Sequence, residues 1–437
     1  MHDVIDQAVS RRALLRGASL LGAGAALGGL PLVARAAEDG IAAQWPAVTA
    51  MLDRYVSTRK LAGMAAAIGW GTAAPGFILR GKEGLDDPDA IGPDSLFRIY
   101  SMTKPITGMA AMILVDEGKL TLDQPISDLL PKFANMQVQV TPDGSITDLR
   151  PAKTAITVRH LLTHTAGLGY SIIQKGPIKT AYESAGLVPG QVTRLPLPEL
   201  DRGRPVRSLA LFADRLAEMP LVYEPGTKWS YSVGLDLMGR VIEVASGASF
   251  DAFLKERIFD PAGMTSTWFQ VPASEDHRLT GNYSPMMGML LPIDPPRSSV
   301  YLDKPAFPFG GAGLVSSPRD YDRFLDMLTG YGAIGGTRVM SEKAVRLGTS
   351  NLLPETVNTA GTMVGGAGFG AGGRVGLGAL EGTYGWGGAA GTVAFVNMKA
   401  GLRAALYTQY MPSDAYPVHA EFPQAVQADL AKRRPAA

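Results

Sequence analysis

The sequence predicts an α+β fold: a sheet flanked by helices from both ends of the chain, with a separate, mainly helical lobe inserted. Three observations carry this. Strand-like runs occur early, at "GMAAAIGWG" (63–71) and "GFILRGKEG" (76–84), and again late, at "GTVAFVNMKA" (391–400) and "LRAALYTQYM" (402–411). The stretch from about 121 to 330 has helical spacing interrupted by long loops. The composition, with 52 glycines and 31 prolines in 437 residues, calls for many tight turns and does not suit a helix-only bundle.

Taken in order, "IAAQWPAVTAMLDRYVST" (41–58) has apolar residues at helical spacing and predicts a helix before the first strand pair. A second helix is predicted at about 106–117, where Ile106, Met109, Ala110, Ile113 and Leu114 recur on one face and Gly118 supplies the stop. "ITVRHLLTHTAGL" (156–168), "LDLMGRVIEVASG" (235–247) and "DYDRFLDMLTGYG" (320–332) also read as helices. Two Pro-rich stretches, about 169–206 and 284–309, read as irregular loops long enough to be functional. "SPMMGMLLP" (284–292), within the second, reads as core filler or as one wall of a pocket. The late strand pair turns at Ala400-Gly401, and "PQAVQADLAKRR" (423–434) predicts a final helix.

The first residues stand apart. "SRRALLRGASLLGAGAALGGLPLVARAAEDG" has the pair Arg11-Arg12, a short apolar run and then Ala34-Arg35-Ala36. That order predicts a twin-arginine export signal over 1–36, cleaved after Ala36, and a periplasmic or secreted protein. The competing reading is a membrane anchor, but the run is short for a span of roughly 20 residues and rich in Gly and Ala. No stable membrane span is expected in the mature chain. The formal net charge of +1 gives no basic stripe for nucleic acid. The chain has no cysteine, which removes disulfides, thiolate metal sites and a lipid anchor on cysteine.

The chemistry gathers around "SLFRIYSMTKPITGMAAMILVDEGKL" (95–120). Ser101 and Lys104 are three apart, so on a helix they share a face. Pro105 is tolerated only near a helix start, which puts Ser101 at or near the first helical residue. There its hydroxyl faces free N–H groups and the positive end of the helix dipole. A serine needs a base to become nucleophilic, and a lysine serves only as the neutral amine; burial favours that form and a neighbouring carboxylate opposes it. By itself this spacing also fits a capping serine with a solvated lysine.

Two further stretches alter that balance. "YEPGTKWSYSVGLDLMGRVI" (223–242) places Tyr231 after a turn at Pro225-Gly226 and before a helix, and "YGWGGAAGTVAFV" (384–396) is a Gly-rich entry to a strand. Alone, Tyr231 reads as a packing aromatic. In this order the three stretches resemble the serine β-lactamase and penicillin-binding-protein superfamily, and within it the family VIII carboxylesterases, which are similar to class C β-lactamases. "VRHLLTHTAGL", "PAGMTSTWF" (261–269) and "GGAGLVSSPRDYDRFL" (310–325) extend the resemblance across roughly residues 40 to 430.

The resemblance implies a β-lactamase/transpeptidase-like fold with an antiparallel sheet. It implies one hydrolase domain over 37–437, with an α/β lobe from about 37–100 and 330–437 and a helical lobe from about 101–330. It makes Ser101 the acylated nucleophile, Lys104 its proton acceptor and Tyr231 a proton relay. The backbone N–H groups of Ser101 and Ala389 would form an oxyanion hole. Trp386, Gly387 and Gly388 would form the third motif, on an edge strand, and bind substrate together with Val233. Two positions depart from the lactam-processing pattern: Val233 stands where an asparagine is usual, and Trp386 where a lysine or histidine is usual. Both changes remove polar recognition and favour a neutral, partly apolar acyl group.

Ester hydrolysis on a small-molecule substrate, without metal or organic cofactor, is therefore expected. The alternatives are a β-lactamase, a D,D-peptidase or D-aminopeptidase, an acyltransferase, or a binding protein that kept the fold. Other signals carry less. "GFGAGG" (368–373) fits a dinucleotide fingerprint but opens no helix and reads as a Gly-rich strand near the site. His160 and His164 are four apart, as metal ligands on a helix can be, but without a following glutamate they read as hydrogen-bonding residues near the lobe junction. No G-x-S-x-G nucleophile elbow occurs.

Overall fold

A computed structural model describes residues 40–197, 200 and 203–433. The expected export signal lies outside these residues.

Helix α1 (Pro46–Ser57) opens on proline, where the missing N–H costs nothing, and buries Val48, Met51, Leu52 and Tyr55. Strands β1 (Gly63–Trp70) and β2 (Gly76–Gly81) form the first hairpin. The late strands are β3 (Gly368–Phe369), β4 (Arg374–Val375), β5 (Thr383–Gly387), β6 (Val393–Asn397) and β7 (Leu402–Tyr407). All seven join one sheet in the order β3-β4-β5-β6-β7-β1-β2. Each neighbouring pair runs antiparallel, with Ala67 opposite Ala405 where the two ends of the chain meet.

Alternation across β1 and β7 separates two cores. Met64, Ala66, Ile68, Ala404 and Leu406 pack with α1 and with the last helix, α6 (Val418–Arg433), whose Phe422 and Val426 reach the same cluster. Ala65, Ala67, Ala405 and Tyr407 face the larger core on the other side. A helix from the middle of the chain, α5 (Pro318–Thr329), covers that face, and its Asp322 accepts a 2.8 Å bond from Arg403 of β7. The expected sheet with terminal helices is thus present, and its second face is closed by chain from within 101–330.

Helix α2 (Thr103–Asp116) is central. Every residue from Thr103 to Leu114 is buried, so the helix is enclosed on all sides rather than on one face. Each large aliphatic side chain so removed from water contributes about 1.5–3 kcal/mol. It begins three residues earlier than the apolar spacing indicates, because polar Thr103 and Lys104 lie in its first turn.

Three expectations need correction. "ITVRHLLTHTAGL" is helical only over α3 (Val158–Leu162); Thr157 and His160 form a reciprocal cap, and His164, at φ 56°, lies in a turn that a continued helix would not allow. The first Pro-rich loop contains the helix Gly176–Ser184, because Pro177 sits at its start, where proline is tolerated. The second contains a hairpin, Asn282–Met286 paired with Met289–Asp294. A two-stranded ribbon consists only of edges, so Pro285 and Pro292 fit in it. Its turn uses Met287 (φ 51°) and Gly288 (φ 78°), and Met287 is 93% exposed. "SPMMGMLLP" is therefore not core filler. Among the described residues no helix is long and apolar enough to cross a membrane.

Candidate active site

Ser101 lies in a single 3₁₀ turn, Tyr100–Met102, that runs into α2. Tyr100, just before it, is held at φ 41°, a conformation that a bulky residue adopts only when its surroundings impose it. Those surroundings are visible. The Tyr100 ring stands edge-on to Tyr301 at 6.1 Å, and its hydroxyl accepts a 3.4 Å bond from Asn282 at the base of the hairpin. The turn leaves Ser101 half-buried and Lys104 fully buried beneath it.

The structure brings Ser101, Lys104 and Tyr231 together. Lys104 Nζ is 3.2 Å from Ser101 Oγ, and the Tyr231 hydroxyl is 2.8 Å from the same oxygen. Lys104 Nζ also donates to the Gly311 carbonyl at 2.7 Å and stands 4.6 Å from the centre of the Tyr231 ring. Tyr231 comes from the turn before α4 (Gly234–Ser246), 130 residues away in the chain. Trp386 Nε1 donates to the Tyr231 oxygen at 3.2 Å. With that lone pair occupied, the phenol proton is directed at Ser101 Oγ.

The third motif follows β5. Gly388 N–H bonds the Thr392 carbonyl at 2.7 Å, closing a tight turn around Ala389 and Ala390. A Cβ on Gly388 would come within 2.4 Å of the Ile99 carbonyl, so only glycine lets this backbone lie against the Ser101 turn. His419 of α6 bonds the same Thr392 carbonyl through Nε2 at 2.9 Å and clamps the turn from behind. The strand is not the full edge expected. β4 pairs with Tyr384 and Gly385, and Trp386 and Gly387 run on past that pairing. Val233 is fully buried at the start of α4, with its amide bonded to Gly169, so its side chain adds no surface to the cleft.

Tyr231 is gripped by aromatic rings. His164 lies 4.7 Å from it, Tyr170 5.5 Å, Trp386 5.7 Å and Trp229 6.2 Å, centre to centre. His164 Nδ1 accepts from the Ser232 amide at 3.3 Å, which places its proton on Nε2. Burial and then the Lys104 charge hold its pKa well below the usual histidine value, so it stays neutral. Burial first, then the Asp236 charge, push the Tyr170 phenol well above its usual value. Among the described residues no group of three or more His, Cys, Asp or Glu side chains is arranged to hold a metal ion.

Residue reasoning passed over Tyr170, the Gly311 carbonyl and Asp236. Asp236 did carry a signal. It is a charged residue among Leu235, Leu237 and Met238 on a helix that otherwise buries apolar groups, and such a residue is rare without a partner. Tyr170 and Gly311 had none, since their importance comes from tertiary placement alone.

Comparison with known proteins agrees with this geometry. The family described as beta-lactamase matches residues 48–428. An uncharacterized protein of Mycobacterium tuberculosis is 39% identical over 270 residues, which is 60% of this chain and 62% of that one. The match thus spans less than two thirds of that relative's length. The esterase EstB of Burkholderia gladioli is 32% identical over 296 residues, 64% of this chain and 68% of its own. Among solved structures, EstCE1, described as a hydrolase with promiscuous acyltransferase activity, superposes with a TM-score of 0.71 over 90% of this chain and 99% of its own, at 24% identity.

Proposed function

The chain belongs to the beta-lactamase family, and from that premise we propose that it is a serine hydrolase that cleaves carboxylic esters of small molecules through an acyl-enzyme on Ser101. One observation carries the reading: a single half-buried hydroxyl oxygen lies within hydrogen-bond reach of both a buried amine and a phenol, at 3.2 and 2.8 Å. A serine that only caps a helix needs neither neighbour.

In this reading Ser101 Oγ attacks the ester carbonyl as its proton passes to Lys104. The Ser101 and Ala389 amides receive the developing oxyanion; one such donor is worth about 2.7–4 kcal/mol in the transition state. Tyr231, oriented by Trp386, gives its proton to the departing alcohol, and the ester C–O bond breaks. Water then attacks the acyl-enzyme; the Tyr231 phenolate takes its proton, and Lys104 returns the proton it holds to Ser101 Oγ as the acid leaves.

Ester over lactam is supported by Trp386, whose indole replaces a cation. The name of the Burkholderia relative agrees. Export through a twin-arginine signal over residues 1–36 belongs to the same proposal, supported by Arg11-Arg12 and Ala34-Arg35-Ala36.

The test sets turnover of a short-chain nitrophenyl ester beside that of a chromogenic cephalosporin, with an alcohol added in a third arm. Ester turnover that Ser101→Ala abolishes is expected. Cephalosporin turnover without ester turnover would make the protein a lactamase, and acyl transfer outpacing hydrolysis would make it a transferase. An ester rate unchanged in Ser101→Ala would end the mechanism.

A further inference from the structure

Lys104 does not meet a carboxylate directly, yet one lies just behind its acceptor. The Gly311 peptide unit has two partners: its carbonyl accepts from Lys104 Nζ at 2.7 Å, and its N–H donates to Asp236 Oδ1 at 2.8 Å. Asp236 is fully buried, and its second oxygen, Oδ2, has no hydrogen-bond partner among the described residues. A Cβ on Gly311 would fall 2.6 Å from that oxygen, so the glycine is required for the contact. A helix carboxylate, a glycine peptide and the buried amine thus form one line ending at Ser101.

We propose that Asp236 is a positioning residue for this site: through the Gly311 peptide it fixes the Lys104 amine against Ser101, and its charge governs the pH range in which that amine accepts the Ser101 proton. The inference rests on the Ser101–Lys104 reading above and extends it to regulation by pH.

A purely structural acid would be fully bonded, since an unpaired buried oxygen costs about 1–3 kcal/mol. Asp236 carries that cost inside the site. Burial, offset in part by Lys104 and the Gly311 amide, pushes its pKa up to about 6. It therefore changes charge near pH 6. Above that point the carboxylate favours a charged amine next to it; below it, the neutral acid releases that hold. The other groups facing the pair are Tyr170, 5.8 Å from Lys104 Nζ at its ring centre, Tyr231, and neutral His164. Burial keeps the Tyr170 phenol protonated and the His164 ring neutral, so Asp236 supplies the negative charge of this cluster.

Asp236→Asn tests the idea, because the amide oxygen still accepts from Gly311 while the charge is gone. The acid limb of kcat/KM on a nitrophenyl ester should move down by about one pH unit or more, with KM at the plateau little changed. A limb that stays in place while activity or melting temperature falls would make Asp236 merely structural and overturn the inference. If Asp236→Asn does not fold, the wild type decides. A neighbouring acid that changes charge near pH 6 should break the slope of the acid limb there; a plain single-proton limb would overturn the proposal. Failure of the underlying reading is distinguishable, since it appears as ester turnover that survives Ser101→Ala.

Discussion

Two buried basic side chains flank Ser101, one three residues before it and one three residues after, and they are treated in opposite ways. Arg98 is saturated. Its Nε bonds Asp294 Oδ2 at 2.6 Å, Nη1 bonds the Thr280 carbonyl at 2.5 Å, and Nη2 reaches the Asp294 carbonyl and Ser299 at 3.1 and 3.0 Å. Its backbone is paired on both sides with Gln409. Lys104 is undersaturated: its fixed partners are a carbonyl and the hydroxyl it is to activate, and the nearest acid stands one peptide away with an oxygen unpaired. A buried charge that is fully bonded fixes structure, whereas one left short of partners can still exchange a proton. The same short stretch of chain uses both, the first to hold the turn at Tyr100 and the second to work.

The sharpest way to break this contrast is to remove each cluster's charge. Lys104→Met should lower kcat/KM by about 10²–10⁴-fold, the usual worth of a positioned base. Its unfolding free energy should stay level or rise, because a similar apolar volume replaces a buried amine that has no direct ionic partner. Asp294→Ala should do the reverse. It leaves Arg98 buried without its carboxylate and should cost about 3–5 kcal/mol in urea unfolding, and the protein that remains folded should keep its pH–rate profile. Equal losses of stability in the two variants would erase the distinction.

Only one of these clusters was legible beforehand. Ser101 and Lys104 are local, and Pro105 marks the helix start, so spacing alone proposed their contact. Tyr231 and Trp386 could be placed only through the resemblance, since 130 residues separate Tyr231 from Ser101 and a further 155 separate Trp386 from Tyr231. The sheet was readable because strand runs bounded by glycine sit at both ends of the sequence. The hairpin at Asn282–Asp294 was not, because its prolines and methionines oppose strand propensity and only its edge position lets them fit. Arg98 and Asp294 gave no sign at all: 196 residues separate them, and a charge read from sequence belongs by default on the surface.

Glu83 sharpens the comparison, since it is an undersaturated buried acid outside the reacting cluster. Ser95 donates to it at 2.6 Å, and Asp87 and Asp89 lie near it on its own segment, with Arg278 as the nearby cation. Burial is the main cause that raises its pKa from 4.5 to about 7. The folded state thus keeps the proton that the unfolded chain gives up at lower pH, so this stabilising contribution is present below about 4.5 and fades as pH climbs through 7. The loss is on the order of 2–3 kcal/mol. Glu83→Gln should flatten the fall in unfolding free energy between these limits and leave the variant more stable than wild type above pH 7. A slope that persists in Glu83→Gln would assign it to other acids, Asp322 first, whose pKa burial raises to about 6.

The smallest effect should come from the Trp386 indole, which has no charge to lose. Trp386→Phe deletes the 3.2 Å bond to the Tyr231 oxygen but keeps a ring against Tyr231 and Phe369. A neutral hydrogen bond of this kind is worth about 0.5–1.5 kcal/mol, so ester kcat should fall about 2- to 10-fold. The fall should be in kcat rather than KM, because the indole N–H acts on Tyr231 and not on the substrate. Trp386→Ala should lose more, as Tyr231 also loses a packing wall. A Phe variant as slow as Tyr231→Phe would mean that the phenol cannot work without that N–H, and the indole would then belong with Lys104 among groups whose single hydrogen bonds decide the rate. A Phe variant with unchanged kcat and a raised KM would instead make the indole a surface for the acyl group, and the orientation of the Tyr231 proton would have to come from Ser101 and the surrounding rings alone.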